Sequence, residues 1–209
     1  MEFLVRLFRA LANRRRIAIL RLLCAFGEMR VSAIARATAV RLPNVSGHLA
    51  MLVAVGLVWR RRSGRFVYYS LAGSASHPVT GTVLDLLTRA FAGMDGNDPA
   101  DVARATGDAA SPASDAALFA AFTAFTHPRR LQILRHLARG EAGPLLALSA
   151  ALSMSPAACG RHVEKLERRR MVRKHGAKGG LVLTLGNGVG WPGRMLAEAV
   201  VSALTAPGR

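Results

Sequence analysis

Apolar positions recur at helical spacing from the first residues onward. Phe3, Leu4, Leu7, Phe8 and Leu11 predict one amphipathic helix, and Ile17, Leu20 and Cys24, with Ile19 and Leu23, predict a second. A short third helix is expected over 31–39. The fourth begins around Pro43, whose missing amide proton costs nothing in a first helical turn; it turns Val45, Leu49 and Leu52 inward and ends at Gly56. The period then changes. Segments 57–61 and 66–71 read as two strands around a Ser63-Gly64 turn, and Val79, Val83, Leu84, Leu87 and Phe91 line a final helix over 77–91.

The polar positions are as ordered as the apolar ones. On the outer side of the fourth helix Arg41, Asn44 and His48 stand at i, i+3 and i+7, with Ser46 and Gly47 beside them, so hydrogen-bonding groups project together. Such an edge suits a major groove, where Asn can pair bidentately with adenine. The hairpin that follows carries Arg60, Arg61, Arg62 and Arg65 around its tip with no acid nearby in sequence, which favours phosphate contact.

The whole pattern occurs twice. Displaced by 114 residues and without a gap, ANRRRIAILRLL from Ala12 lies over THPRRLQILRHL from Thr126. In this register Phe8 meets Phe122, Arg15 and Arg16 meet Arg129 and Arg130, Arg21 meets Arg135, and His48 meets His162. Coincidences that keep an apolar pattern over this length imply one supersecondary unit in two copies. The organisation predicted is a first lobe over 1–91, a linker over 92–117 and a degenerate second lobe over 118–209. The linker is rich in Gly, Ala, Asp and Pro; within it, Asp98-Pro99 followed by DVARATG reads as a short capped helix stopping at Gly107. Otherwise it is expected to act as an acidic tether long enough to let the lobes lie side by side.

Charge adds a partner class. The formal net charge is +17, distributed as +11 on the first lobe, −4 on the linker and +10 on the second lobe. An excess of that size favours a polyanion, nucleic acid before an acidic membrane surface. The uncharged runs 42–59 and 142–160 contain Pro, Asn, Ser and His and are not expected to span a membrane. The N-terminal stretch, broken by Arg6 and Arg9, does not read as a signal peptide. Cys24 and Cys159 are far apart and lack the spacing of a disulfide framework or a zinc site; both are expected to be buried apolar residues in a reducing cytoplasm. GNGVG at 186–190 lacks the surroundings of a dinucleotide fingerprint and reads as a loop.

LFRALANRRRIAILRLL, SGHLAMLVAVGLV and RRRSGRFVYYSL together resemble the ArsR/SmtB-type winged helix-turn-helix regulators over nearly all of the first lobe. HPRRLQILRHL and GRHVEKLERRRMV in the second lobe resemble them more weakly. The resemblance implies a mainly α fold with small β-hairpin wings. It also implies two-fold pairing through the first and last helices of the unit, here between two lobes of one chain as an intramolecular pseudo-dimer. The function implied is a sequence-specific, double-stranded DNA-binding transcription regulator, a repressor, with no catalysis and no cofactor.

The expected DNA contacts are Arg41, Asn44, Ser46, Gly47, His48, Arg60, Arg61, Arg62 and Arg65 in the first lobe, and Ser155, Arg161, His162, Lys165, Arg173, Lys174 and Lys178 in the second. Ala157 and Ala158 replace Pro43 and Asn44, so the second lobe is expected to give more phosphate affinity than base discrimination, with Arg168, Arg169 and Arg170 adding attraction. Family members often sense metals through cysteines on the third helix or His and carboxylates on the last. Here the third helix has no cysteine, and His77 and Asp85 are eight residues apart, so no metal site is expected. The effector ligand is left open. Two other readings of the charge remain: a sequence-indifferent architectural or RNA-binding protein, and a winged-helix module that holds a protein or a small ligand.

Overall fold

The computed structural model describes residues 1–94, 97–105, 114–177, 180–186 and 190–206. The first lobe runs α1 (Glu2–Leu11), α2 (Arg14–Phe26), β1 (Met29–Arg30), α3 (Val31–Thr38), α4 (Leu42–Ala54), β2 (Val58–Ser63), β3 (Phe66–Leu71) and α5 (Pro78–Ala90). A short helix, α6 (Pro99–Arg104), follows. The second lobe repeats the order as α7 (Asp115–Ala124), α8 (Pro128–Ala138), β4 (Gly143–Pro144), α9 (Leu145–Ala151), α10 (Pro156–Glu167), β5 (Val172–Ala177), β6 (Gly180–Leu185) and α11 (Gly190–Thr205). The fold is two winged helix-turn-helix lobes, mainly helical, each with a small antiparallel sheet in the order β1-β3-β2 or β4-β6-β5.

The repeat survives at the level of strand register. Val58 pairs with Leu71 and Val172 with Leu185, each displaced by the same 114 positions, and Met29 opposite Tyr69 matches Gly143 opposite Leu183. The two-residue strands β1 and β4 are absent from the sequence reading, because two residues cannot display an alternating pattern. The hairpin turn also sits one residue later than expected: Ser63 still pairs with Phe66, and Gly64-Arg65 makes the turn, with Gly64 at φ +57° where a side chain is disfavoured.

One internal arginine sets the corner between the first two helices of each lobe. Arg16 is almost fully buried; its Nε donates to the Ala10 carbonyl and its Nη2 to the Arg9 carbonyl at 2.8 Å. Arg130 does the same in the second lobe, with Nε to Ala124 O at 2.6 Å and Nη2 to Thr123 O at 2.8 Å. These carbonyls belong to the last turn of α1 and α7 and have no acceptor role inside their helices, so a guanidinium satisfies them and tethers one helix to the next. Asn13 caps α2 by accepting from the Arg16 amide, and His127 caps α8 by accepting at Nδ1 from the Arg129 amide.

Buried residues of the two lobes form one continuous core. The first helices meet, α1 against α7, with the Phe8 ring centroid 4.6 Å from Phe125 and 6.5 Å from Phe122. The last helices meet as well, α5 against α11. Arg9 Nε donates to Thr126 O at 3.1 Å across this boundary, and the Arg14 guanidinium lies over the Phe119 ring at 5.8 Å.

The linker departs from a free tether. Asp98 caps α6 as its sequence predicts, accepting from Ala100 N at 2.7 Å, but the helix then docks on α2 and α3 and buries Val102. Arg21, completely buried, donates to the carbonyls of Val102 (3.1 Å) and Ala103 (3.3 Å) and pairs with the carboxylate of Asp115 in α7. A cation buried in a core needs such partners, and the acidic segment supplies them. Asp115, expected within the linker, begins the second lobe's first helix. The expected stop at Gly107 lies outside the described residues.

Candidate nucleic-acid interface

Burial of Val45, Leu49 and Leu52, each at 0% exposure, anchors α4 and fixes what its other side presents. Arg41, Asn44, Ser46 and Gly47 are exposed, and Arg41 stands at the N-cap with no side-chain capping bond. His48 is half-buried; burial first, and then Arg16 and Arg15, pull its pKa below the ordinary imidazole value. It is therefore neutral at physiological pH, and its ring offers a donor and an acceptor rather than a charge.

The wing is more structured than a row of free cations. Arg61 makes a two-pronged bond to Glu28, Nε to Oε1 at 2.9 Å and Nη2 to Oε2 at 2.6 Å, and lies over the Tyr68 ring at 5.0 Å. The expectation that no acid stands near the hairpin is thus corrected. Glu28 is distant from the tip in sequence, but the β1–β3 pairing brings it alongside. Hydrogen bonding to Arg61 holds the Glu28 carboxyl below the ordinary carboxylate range. Arg30, missed by sequence reading, joins the same face, bonding Tyr68 Oη at 3.0 Å and lying over Phe66 at 4.2 Å.

Strand alternation turns Arg60 and Arg62 to the opposite face. Arg60 has no ion-pair partner among the described residues, and Arg62 donates only to Gly64 O at 3.2 Å. Arg65 lies over Phe66 at 5.1 Å. Trp59, 52% exposed, falls by the same alternation on the Arg61 face, a large aromatic surface that the core does not need.

The second lobe repeats this layout with substitutions that matter. Arg161 and Lys165 are exposed on α10, and Arg173 on β5. Ser155 has a local role, capping α10 by accepting from Ala158 N at 3.3 Å. His162 is half-buried, with its ring 4.5 Å from His127 and its Nδ1 buried without a partner among the described residues. Burial lowers its pKa, and His127, Arg130, Lys165 and Arg161 lower it further. Lys174 is paired with Glu167. Arg169, expected to attract phosphate, instead donates to Ala120 O at 2.9 Å, Lys165 O at 3.0 Å and Thr123 Oγ1 at 2.8 Å, tying the end of α10 to α7. Lys178 and most of the GNGVG stretch lie outside the described residues.

Cys159 is buried and Cys24 half-buried, a partial correction to the sequence expectation for Cys24. Burial pushes the Cys24 thiol up to about 12 despite nearby Arg21, and raises Cys159 too. Neither thiol is a thiolate at neutral pH, which makes both poor nucleophiles. Among the described residues no three His, Cys, Asp or Glu side chains gather as metal ligands, and no helix is long and apolar enough to cross a membrane.

Comparison with known proteins agrees with this geometry. Residues 13–59 match the bacterial regulatory protein arsR family, and residues 125–175 match a helix-turn-helix domain family. The chain is 47% identical over 73 residues to the HTH-type transcriptional regulator Rv0324 of Mycobacterium tuberculosis, covering 35% of this chain and 32% of that protein. It is 38% identical over 74 residues to the arsenical resistance operon repressor of Escherichia coli, covering 34% and 63%. It is 36% identical over 64 residues to the arsenic resistance transcriptional regulator ArsR1 of Pseudomonas putida, covering 31% and 50%. The chain therefore spans between a third and just under two thirds of the length of these relatives. Residues 13–59 of the first lobe, which include its α3–α4 pair, are thus similar to the ArsR type of helix-turn-helix domain, and a second helix-turn-helix match follows in tandem over residues 125–175.

Proposed function

We propose that the chain is a sequence-specific DNA-binding transcription regulator, a repressor, whose two lobes pair within one polypeptide and engage one duplex together. The observation that carries this reading is the exposed edge of α4, Arg41, Asn44, Ser46 and Gly47, beside a wing whose Arg60 and Arg62 are free of carboxylates among the described residues. The edge reads bases in the major groove, with half-buried His48 at its inner margin, and the wing holds phosphate. Packing of α1 on α7 and of α5 on α11 supports intramolecular pairing, the arrangement in which two reading heads address half-sites about one DNA turn, ~34 Å, apart.

The heads are unequal. In the second lobe Arg161, Lys165 and Arg173 supply positive charge, while His162 is stacked on His127, Ser155 is engaged in capping and Lys174 is tied to Glu167. That lobe acts chiefly as a phosphate anchor, and the first lobe carries discrimination. Transcriptional names among the relatives support the same class of function for this chain.

Competition experiments test the proposal. A duplex selected from a random pool is expected to outcompete random DNA by about 10³-fold or more, as specific binders do. Raising salt from about 50 to about 200 mM is expected to weaken binding by ~10³ to 10⁵ if about 6 to 10 phosphates are neutralised. Equal competition by random duplex or by RNA would replace the regulator reading with a sequence-indifferent one.

A further inference from the structure

The two lobes differ in what covers the groove between their second and third helices. In the first lobe α6 docks in it and leaves a smaller pocket of about 330 Å³ beside Arg15 and Asp115, and Arg21 on α2 is met there by two carbonyls, the Asp115 carboxylate and the Phe91 ring at 5.3 Å. In the second lobe Arg135 holds the equivalent position on α8, and no described segment plays the part of α6. Met1, the counterpart of Asp115 in the repeat, brings no carboxylate to it. What remains is an open pocket of about 580 Å³ between α8 and the end of α9, with Met1 of the first lobe at its edge.

Its lining is strongly basic. Arg129, Arg135 and Arg139 all contribute, against the single carboxylate of Glu141, which is already 2.9 Å from His136 Nδ1. Arg129 is held in place, its Nη1 donating to Gln132 Oε1 and Leu152 O, both at 3.1 Å. Arg135 and Arg139 are exposed and have no acceptor among the described residues. The same protein thus shows, one repeat earlier, what this position accepts: a carboxylate with apolar bulk behind it.

We propose that this pocket binds a small organic carboxylate, whose acid group meets Arg135 and Arg139 and whose carbon body rests against Leu152 and Met1. The volume lies within the range of small-molecule sites, and guanidinium–carboxylate bonds are among the stronger polar contacts. Because Met1 and α8 belong to different lobes, an occupant touches both and favours the arrangement that brings them together. That regulatory consequence rests on the DNA-binding reading above, whereas the binding itself does not.

Calorimetric titration of the full chain with benzoate and with phthalate, in the absence of DNA, tests the site. Saturable binding of one carboxylate per chain is expected, because in the first lobe α6 narrows the groove and the Asp115 carboxylate already pairs with Arg21. Arg135→Gln and Arg139→Gln are each expected to weaken it by about tenfold or more, the effect of removing a charge-assisted bond, while the exposed Arg89→Gln on α5 leaves it unchanged. Failure of both probes to saturate overturns the proposal, as does binding indifferent to Arg135 and Arg139. Equal binding of inorganic phosphate through the same arginines, or loss of DNA affinity in these variants without any carboxylate binding, assigns the patch to phosphate and also overturns it.

Discussion

Phe8 of the first lobe packs its ring 4.6 Å from that of Phe125 in the second, both at 0% exposure, so the lobes share a hydrophobic centre. Removing either aromatic leaves a cavity that both lobes line. Phe8→Ala is expected to cost about 3–5 kcal/mol, and urea unfolding is expected to remain a single transition shifted to lower denaturant. Two separated transitions, with only one displaced, would show that the lobes fold independently.

Arg21 and Asp115 make a second, polar seam. Their side chains are 1% and 9% exposed, so removing the carboxylate strands a cation in the core. Asp115→Ala is expected to destabilise by about 3–5 kcal/mol, whereas Arg21→Met combined with Asp115→Ala recovers most of the loss. A double-mutant cycle from denaturation curves measures this coupling. Additive losses would mean that the pair is held by its surroundings and contributes little itself.

The wing arginines are predicted to differ. Arg60→Ala and Arg62→Ala should each lower the slope of log affinity against log salt by about 0.9, the value for one phosphate contact. Arg61→Ala should lower it less, because Glu28 already engages that guanidinium at 2.6 Å. Glu28→Gln frees Arg61 and is expected to tighten DNA binding. Weaker binding in that variant would make the Glu28–Arg61 pair a support of the wing rather than a brake on it.

Acid is expected to loosen the fold. His48, His77, His127 and His162 all have pKa values lowered in the folded chain, burial being the largest cause for each. A histidine depressed on folding leaves the unfolded state binding more protons as pH falls. Its stabilisation is complete above the unfolded value of about 6.5 and is lost on descending from there to the folded value. His127 and His77 also cap helices by accepting at Nδ1, a role that protonation of that nitrogen removes. The melting temperature is expected to fall from pH 7 to pH 5, and His127→Asn, which keeps a capping acceptor, should flatten that fall. An unchanged slope would place the titration elsewhere.

Much of this arrangement was legible in the sequence, for physical reasons that particular residues illustrate. Val45, Leu49 and Leu52 are spaced as a buried helical stripe, and Asn44 and Arg41 fall opposite them by geometry alone. Long apolar periods and the displacement by 114 residues survive in any environment that buries one face. What sequence did not reveal depends on contacts between distant segments. Glu28 reaches Arg61 only through strand pairing, and α6 shows a capping signal but no sign of where it docks. The buried role of Arg16 and Arg130 was equally hidden, although their alignment in the repeat was visible, since an arginine among arginines gives no cue that its charge faces helix carbonyls. Ser155, Lys174 and Arg169 lie where DNA contacts were expected, and local partners engage each of them.

On the proposed reading, one polypeptide supplies both halves of the DNA-reading pair. Light scattering of the chain, alone and bound to a selected duplex, decides whether one chain suffices. A free mass of one 22.2 kDa chain is expected, with a complex of one chain per duplex protecting two dissimilar half-sites. A free dimer, or two chains on each duplex, would contradict it.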